Sequence, residues 1–130
     1  AKRDWGYAPE YVEGMWKILQ HDKADDFVLA TGKSNSVREF IELTFSELGI
    51  KINWFGEREK ERGKDSASGK TMIIIDPKYY RPTEVDTLLG DPEKAKEKLG
   101  WRASTGLKDL VKIMVDAEME IIQRNILQSK

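Results

Sequence analysis

Apolar residues return at helical spacing in several stretches of the chain. Tyr11, Val12, Met15, Trp16 and Leu19 share one face of a helix that opens near Pro9 and runs to about Gln20. Pro9 suits a first turn, where an N–H has no intrahelical partner, and Glu10 complements the positive helix end. A second helix opens on the capping box Ser36-Val37-Arg38-Glu39. It carries Val37, Phe40, Ile41, Phe45 and Leu48 on one side and stops at Gly49. A third starts at Asp91-Pro92 and ends at Gly100, with Trp101 expected to pack against it. The last begins near Thr105, and Leu107, Leu110, Val111, Met114, Ile121 and Ile122 make its expected buried stripe.

Between the helices the pattern shortens. Residues 27–31 form a brief apolar run closed by Gly32, which predicts a buried strand. Ile50, Ile52 and Trp54 alternate with polar residues, so a strand with one wet face is expected there. Residues 71–76 predict another strand, paired with 51–55 as an antiparallel hairpin. The intervening stretch, about 56–70, carries three glycines, two serines and charges of alternating sign; it is expected to be a mobile charged loop. A short strand end or loop is expected at residues 2–5. The fold class is α/β, or α+β as an isolated piece.

Composition narrows the functions. The 130 residues hold 22 Lys and Arg against 23 Asp and Glu, a net charge of −1, which speaks against a general nucleic-acid binder. Without cysteine there is no disulfide, thiolate metal site or cysteine nucleophile, and a single histidine, His21, does not make a histidine metal site. No apolar run approaches membrane-spanning length and no signal peptide is visible, so a cytoplasmic, membrane-free protein is expected. The opening Ala1-Lys2-Arg3-Asp4-Trp5 reads as mid-domain sequence.

The chemistry concentrates in Tyr79-Tyr80-Arg81-Pro82-Thr83-Glu84-Val85-Asp86, a strand-to-helix loop. A guanidinium there can bind two oxygens of a phosphate or carboxylate at once. Pro82 restrains Arg81 to an extended backbone. Arg3, beside Asp4, offers a second guanidinium. For each arginine the plain alternative is an ion pair with its neighbouring acid, Asp4 for Arg3 and Glu84 or Asp86 for Arg81. Ser36 reads first as a helix cap. No tyrosine is followed by lysine four positions on, and no Gly-x-Gly-x-x-Gly occurs, so the residues supply neither a Tyr-Lys catalytic pair nor a dinucleotide loop.

Four blocks resemble the GDP-mannose 4,6-dehydratase family, in order along the chain. They are residues 1–12 with Arg3-Asp4-Trp5; Phe27-Val28-Leu29-Ala30-Thr31-Gly32; Ser36-Val37-Arg38-Glu39-Phe40; and Tyr79 onward through Leu88-Leu89-Gly90-Asp91 to Trp101. Members of that family are extended short-chain dehydrogenase/reductases well over twice this length, and the resemblance is to their last part. It implies that residues 1–130 are the C-terminal, GDP-sugar-binding portion of such an enzyme, without its N-terminal Rossmann domain. It further implies that Arg3 and Arg81 contact the diphosphate of GDP-mannose or GDP, and that Glu84 contacts the nucleoside. Whether Glu84 meets guanine or a ribose hydroxyl stays open on the residues. The family carries histidine where Asn35 stands here. Its reaction is an NADP-dependent dehydration, with hydride taken from C4 of the hexose and returned at C6 as water leaves. The resemblance places NADP on the N-terminal domain, so no catalytic, cofactor-binding or metal residue is expected on this chain. A homo-oligomer is expected. The alternative is a non-catalytic GDP-sugar-binding or interaction fragment.

Overall fold

Helix α1 spans Ala8–Gln20 with Pro9 in its first turn, in a computed structural model that describes residues 1–81 and 87–129. The apolar stripe of α1 is not what the helix buries. Val12, Met15, Trp16 and Leu19 are between 57% and 80% exposed, and the buried position is Gly14. A Cβ at Gly14 would lie 2.8 Å from Leu29 Cδ1 and 2.9 Å from Trp101 Nε1. Lacking one, the helix lets both side chains close on its backbone. Trp101, 2% exposed, donates its Nε1 to the Glu10 carbonyl at 2.7 Å and meets the Tyr11 ring edge-on at 5.4 Å. The core is therefore built on the glycine side of α1. His21 is half-buried and edge-on to Phe27 at 5.5 Å.

Residues 27–31 do not form the expected strand; they run without ladder pairing among the described residues. Ala30 is buried but Val28 is 54% exposed. The Thr31 amide is satisfied by the Asp4 carboxylate at 3.1 Å rather than by a neighbouring strand. An apolar run becomes a strand only when another backbone lies beside it.

Helix α2, Val37–Glu47, begins as the capping box requires, with Glu39 N donating to Ser36 Oγ at 3.1 Å. Gly49, at φ 75°, follows its end. Helix α3, Glu93–Leu99, has Asp91 Oδ1 accepting from Glu93 N at 3.1 Å and Gly100 in the left-handed conformation at its C-cap. Helix α4, Leu107–Gln128, packs on α2 and buries Leu110 and Val111. The rest of its expected stripe stays open: Met114, Ile121 and Ile122 are 47–49% exposed. Met114 and Ile122 line an open groove with Phe40, Thr44 and Leu48, and the 11 residues of α2 are too short to cover all 22 of α4.

Two small antiparallel sheets complete the fold. Strands β1, Lys2–Arg3, and β2, Asn35–Ser36, pair with Arg3 opposite Asn35. The second sheet has the order β3 (Ile52–Phe55), β4 (Arg62–Asp65), β5 (Thr71–Ile74). The stretch 56–70, expected as a loop, thus supplies the central strand, after a 3₁₀ turn at Arg58–Lys60. The expected hairpin between 51–55 and 71–76 is replaced by two ladders, each to β4. Gly63 is the reason. It faces inward, where a Cβ would stand 2.9 Å from Ile73 and 3.0 Å from Ile52, while exposed Arg62 keeps the strand looking polar. A strand whose inward residue is glycine gives no apolar signal.

Candidate functional site

Arg3 lies on a strand held from two sides. On one side β1 pairs with β2, and Val37 N donates to the Ala1 carbonyl at 3.2 Å. On the other, Lys2 forms a parallel bridge with Thr87, and Leu88 N donates to the Lys2 carbonyl at 3.1 Å. The Arg3 guanidinium donates to the Lys2 carbonyl at 2.8 Å. The strand that carries the first predicted arginine thus touches the returning end of the loop that carries the second.

Asp4 does more than stand beside Arg3. Its Oδ1 accepts from Thr31 N at 3.1 Å and Thr31 Oγ1 at 2.5 Å, and its Oδ2 from Gly32 N at 3.0 Å. Thr31 Oγ1 in turn accepts from Lys33 N at 3.1 Å. The carboxylate therefore organises the turn that leads into β2. Asn35, across from Arg3, donates its side-chain amide to Glu39 Oε2 at 2.9 Å. That bond, first, together with bonds from Ser36, outweighs the opposing effect of burial and holds the Glu39 carboxyl below its ordinary range. Asn35 and Ser36 are thus engaged with the first turn of α2.

A depression of about 910 Å³ opens beside Arg3, between α1, residues 28–30 and residues 88–90. Its lining is mostly apolar, with Val12, Met15, Val28, Leu88 and Leu89, and Arg3 and Asp4 add charge to it. Tyr11 lines it too. Burial, with the nearby charges of Asp4 and Glu10, raises its phenol above the ordinary value. Gly6 makes room for that ring, since a Cβ there would lie 2.2 Å from Tyr11 Cε2.

Of the predicted site residues, Arg3 is half-buried on β1 and Arg81 is exposed. Glu84 falls in residues 82–86, outside the described residues, as does its suggested pairing with Arg81. Ahead of Arg81, Tyr79 N donates to the Asp76 carbonyl at 3.0 Å and Lys78 N to Asp76 Oδ1 at 2.9 Å, a hydrogen-bonded turn that leaves Tyr79 71% exposed. The Asp4–Thr31 network was not legible beforehand; Asp4 and Thr31 are 27 residues apart and only the folded chain joins them. Among the described residues no group of His, Cys, Asp and Glu is placed to hold a metal, and no helix is long and apolar enough to cross a membrane. The described strands pair antiparallel, apart from the single bridge at Lys2 and Thr87, and no glycine-rich loop joins a strand to a helix. The described residues thus form no glycine-rich strand-to-helix cradle of the Rossmann type.

The profile of the GDP-mannose 4,6 dehydratase family matches residues 1–114. The chain is 55% identical over 123 residues to GDP-mannose 4,6 dehydratase of Dictyostelium discoideum, covering 95% of this chain and 35% of that protein. It is 51% identical over 123 residues to GDP-mannose 4,6-dehydratase of Sinorhizobium fredii, covering 95% and 35%. With GDP-mannose 4,6 dehydratase of Homo sapiens it shares 50% over 125 residues, covering 96% and 34%. The chain belongs to the GDP-mannose 4,6-dehydratase family. It spans about a third of the length of the curated relatives that it matches.

Proposed function

We propose that this chain supplies nucleotide-sugar recognition to a GDP-mannose 4,6-dehydratase, as its C-terminal portion. The reaction of the whole enzyme is loss of water from GDP-mannose to give GDP-4-dehydro-6-deoxy-mannose. Arg3 and Arg81 bind the diphosphate, where fixed guanidinium donors offset its charge. Glu84 accepts hydrogen bonds from the nucleoside. The residues of this chain bind and orient; the oxidation–reduction belongs to NADP held elsewhere in the parent enzyme. The observation that carries the reading is the convergence of the Arg3 strand with the end of the Arg81 loop, at Lys2 and Thr87, in a chain of this family. The exposed apolar lining of the depression and the uncovered face of α1 dock the remainder of the parent enzyme. The parent assembles as a homo-oligomer.

A thermal melt of this chain with and without GDP-mannose tests the reading. A ligand that binds only the folded state raises the midpoint. The expected result is an upward shift that shrinks in Arg81→Ala and Arg3→Ala. A cooperative melt that GDP-mannose does not move overturns autonomous recognition by this chain.

A further inference from the structure

We infer that Asp4 is a positioning residue for Arg3, acting through Thr31 and the 31–35 turn. The inference rests on the reading that Arg3 binds the diphosphate. The Asp4 carboxylate takes three hydrogen bonds from the turn, and both of its oxygens are used: Thr31 N and Oγ1 on one, Gly32 N on the other. Thr31 Oγ1 continues the chain of bonds to Lys33 N at 3.1 Å. The turn then delivers Asn35 directly opposite Arg3 in the β1–β2 ladder. The acid therefore closes a ring that runs from Arg3 to Asp4, across to Thr31, along the turn to Asn35, and back across the ladder to Arg3.

The ring explains why a short element can hold a recognition residue. A two-residue ladder has too few bonds to fix a long side chain's origin, and isolated pairs of short strands are marginal. The carboxylate adds three bonds immediately beyond the ladder, each strengthened by the ionised acceptor. The Lys2–Thr87 bridge braces the opposite edge. Arg3 thus starts from a backbone fixed on both sides, which lowers the ordering cost of binding a diphosphate.

Asp4→Asn tests this at nearly constant shape. An amide keeps one acceptor oxygen but turns its NH₂ toward a backbone N–H of the turn. Thr31→Val removes the hydroxyl, and Thr31→Ser keeps it. The affinity of the full 130-residue chain for GDP is read by NMR titration, with a thermal melt confirming that each variant is folded. Arg3→Ala is expected to weaken binding about tenfold or more, as loss of a charge-assisted contact does. Asp4→Asn and Thr31→Val should each weaken it about three- to tenfold, and Thr31→Ser should restore it. The deciding measurement is the pair: in an Arg3→Ala background, Asp4→Asn should change the dissociation constant no further. If Arg3→Ala weakens binding but folded Asp4→Asn and Thr31→Val do not, Asp4 merely supports the turn and the inference falls alone. Equal losses from Asp4→Asn with and without Arg3 have the same meaning. If Arg3→Ala leaves binding unchanged, the diphosphate role of Arg3 fails and takes the inference with it; if the unmutated chain binds no GDP, autonomous recognition fails and the inference falls with it.

Discussion

Glu10 joins the first turn of α1 to the approach of α4, and replacing it by glutamine tests that joint. Its Oε2 accepts from Ser104 N at 2.6 Å and Ser104 Oγ at 3.0 Å, and its Oε1 from Thr105 N at 3.0 Å. The same residue's carbonyl accepts from the buried Trp101 indole. Glutamine has the same shape but only one acceptor oxygen, so its NH₂ must face one of the two backbone N–H groups. One charge-assisted bond is lost and one donor is left without its acceptor. In the interior that would cost about 3 kcal/mol, but water reaches this carboxylate, so about 1–2 kcal/mol is expected. For a chain of this length that lowers the melting midpoint by about 3–8 °C at neutral pH.

The pH dependence gives a second check on the same joint. Burial pushes the Glu10 carboxyl up, but the bonds from Thr105 and Ser104 together outweigh it and hold the group below the ordinary glutamate value of 4.5. A carboxyl with a depressed folded-state pKa is deprotonated more readily folded than unfolded. Its stabilisation is therefore present above the unfolded value and is lost as pH falls through the folded one. The gap between parent and Glu10→Gln should be full at pH 7 and should close in acid. Circular dichroism melts of both proteins from pH 7 down to pH 3 measure it. A midpoint within 1 °C of the parent at pH 7, or a gap that does not narrow in acid, would refute the reasoning.

Two glycines give further predictions with opposite physical causes. Gly14→Ala should gain up to about 1 kcal/mol of helix propensity and lose about 1–3 to overpacking against Leu29 and Trp101. The net expectation is a lower midpoint and a changed tryptophan emission; a raised midpoint with unchanged emission would mean the contact relaxes freely. Gly100→Ala has nothing within 4 Å of the added Cβ, but φ is 63°, so backbone strain alone should cost about 1 kcal/mol. A neutral Gly100→Ala melt would show that the C-cap shifts without penalty.

The residue order alone was sufficient for what is decided within a few positions. Helix periodicity, the Ser36–Glu39 cap, and the stops at Gly49 and Gly100 depend on neighbours three or four residues away, and they stand as read. So does the family, because blocks of sequence carry it. The folded chain decided everything that depends on distant backbone. It made 62–65 a central strand, because Gly63 fits under Ile52 and Ile73, and it left 27–31 without a ladder. It also turned α1 so that Gly14 and Tyr11 meet Trp101, while Val12, Met15, Trp16 and Leu19 stay exposed. Periodicity marks which face of a helix is apolar, but only the available partners decide which face is covered. For the site, sequence gave Arg3 and Arg81 as side-chain chemistry, whereas Asp4 gained its three partners only when Thr31 and Gly32 were brought to it across 27 and 28 positions. A carboxylate's role is set by the donors around it, and those are a property of the fold.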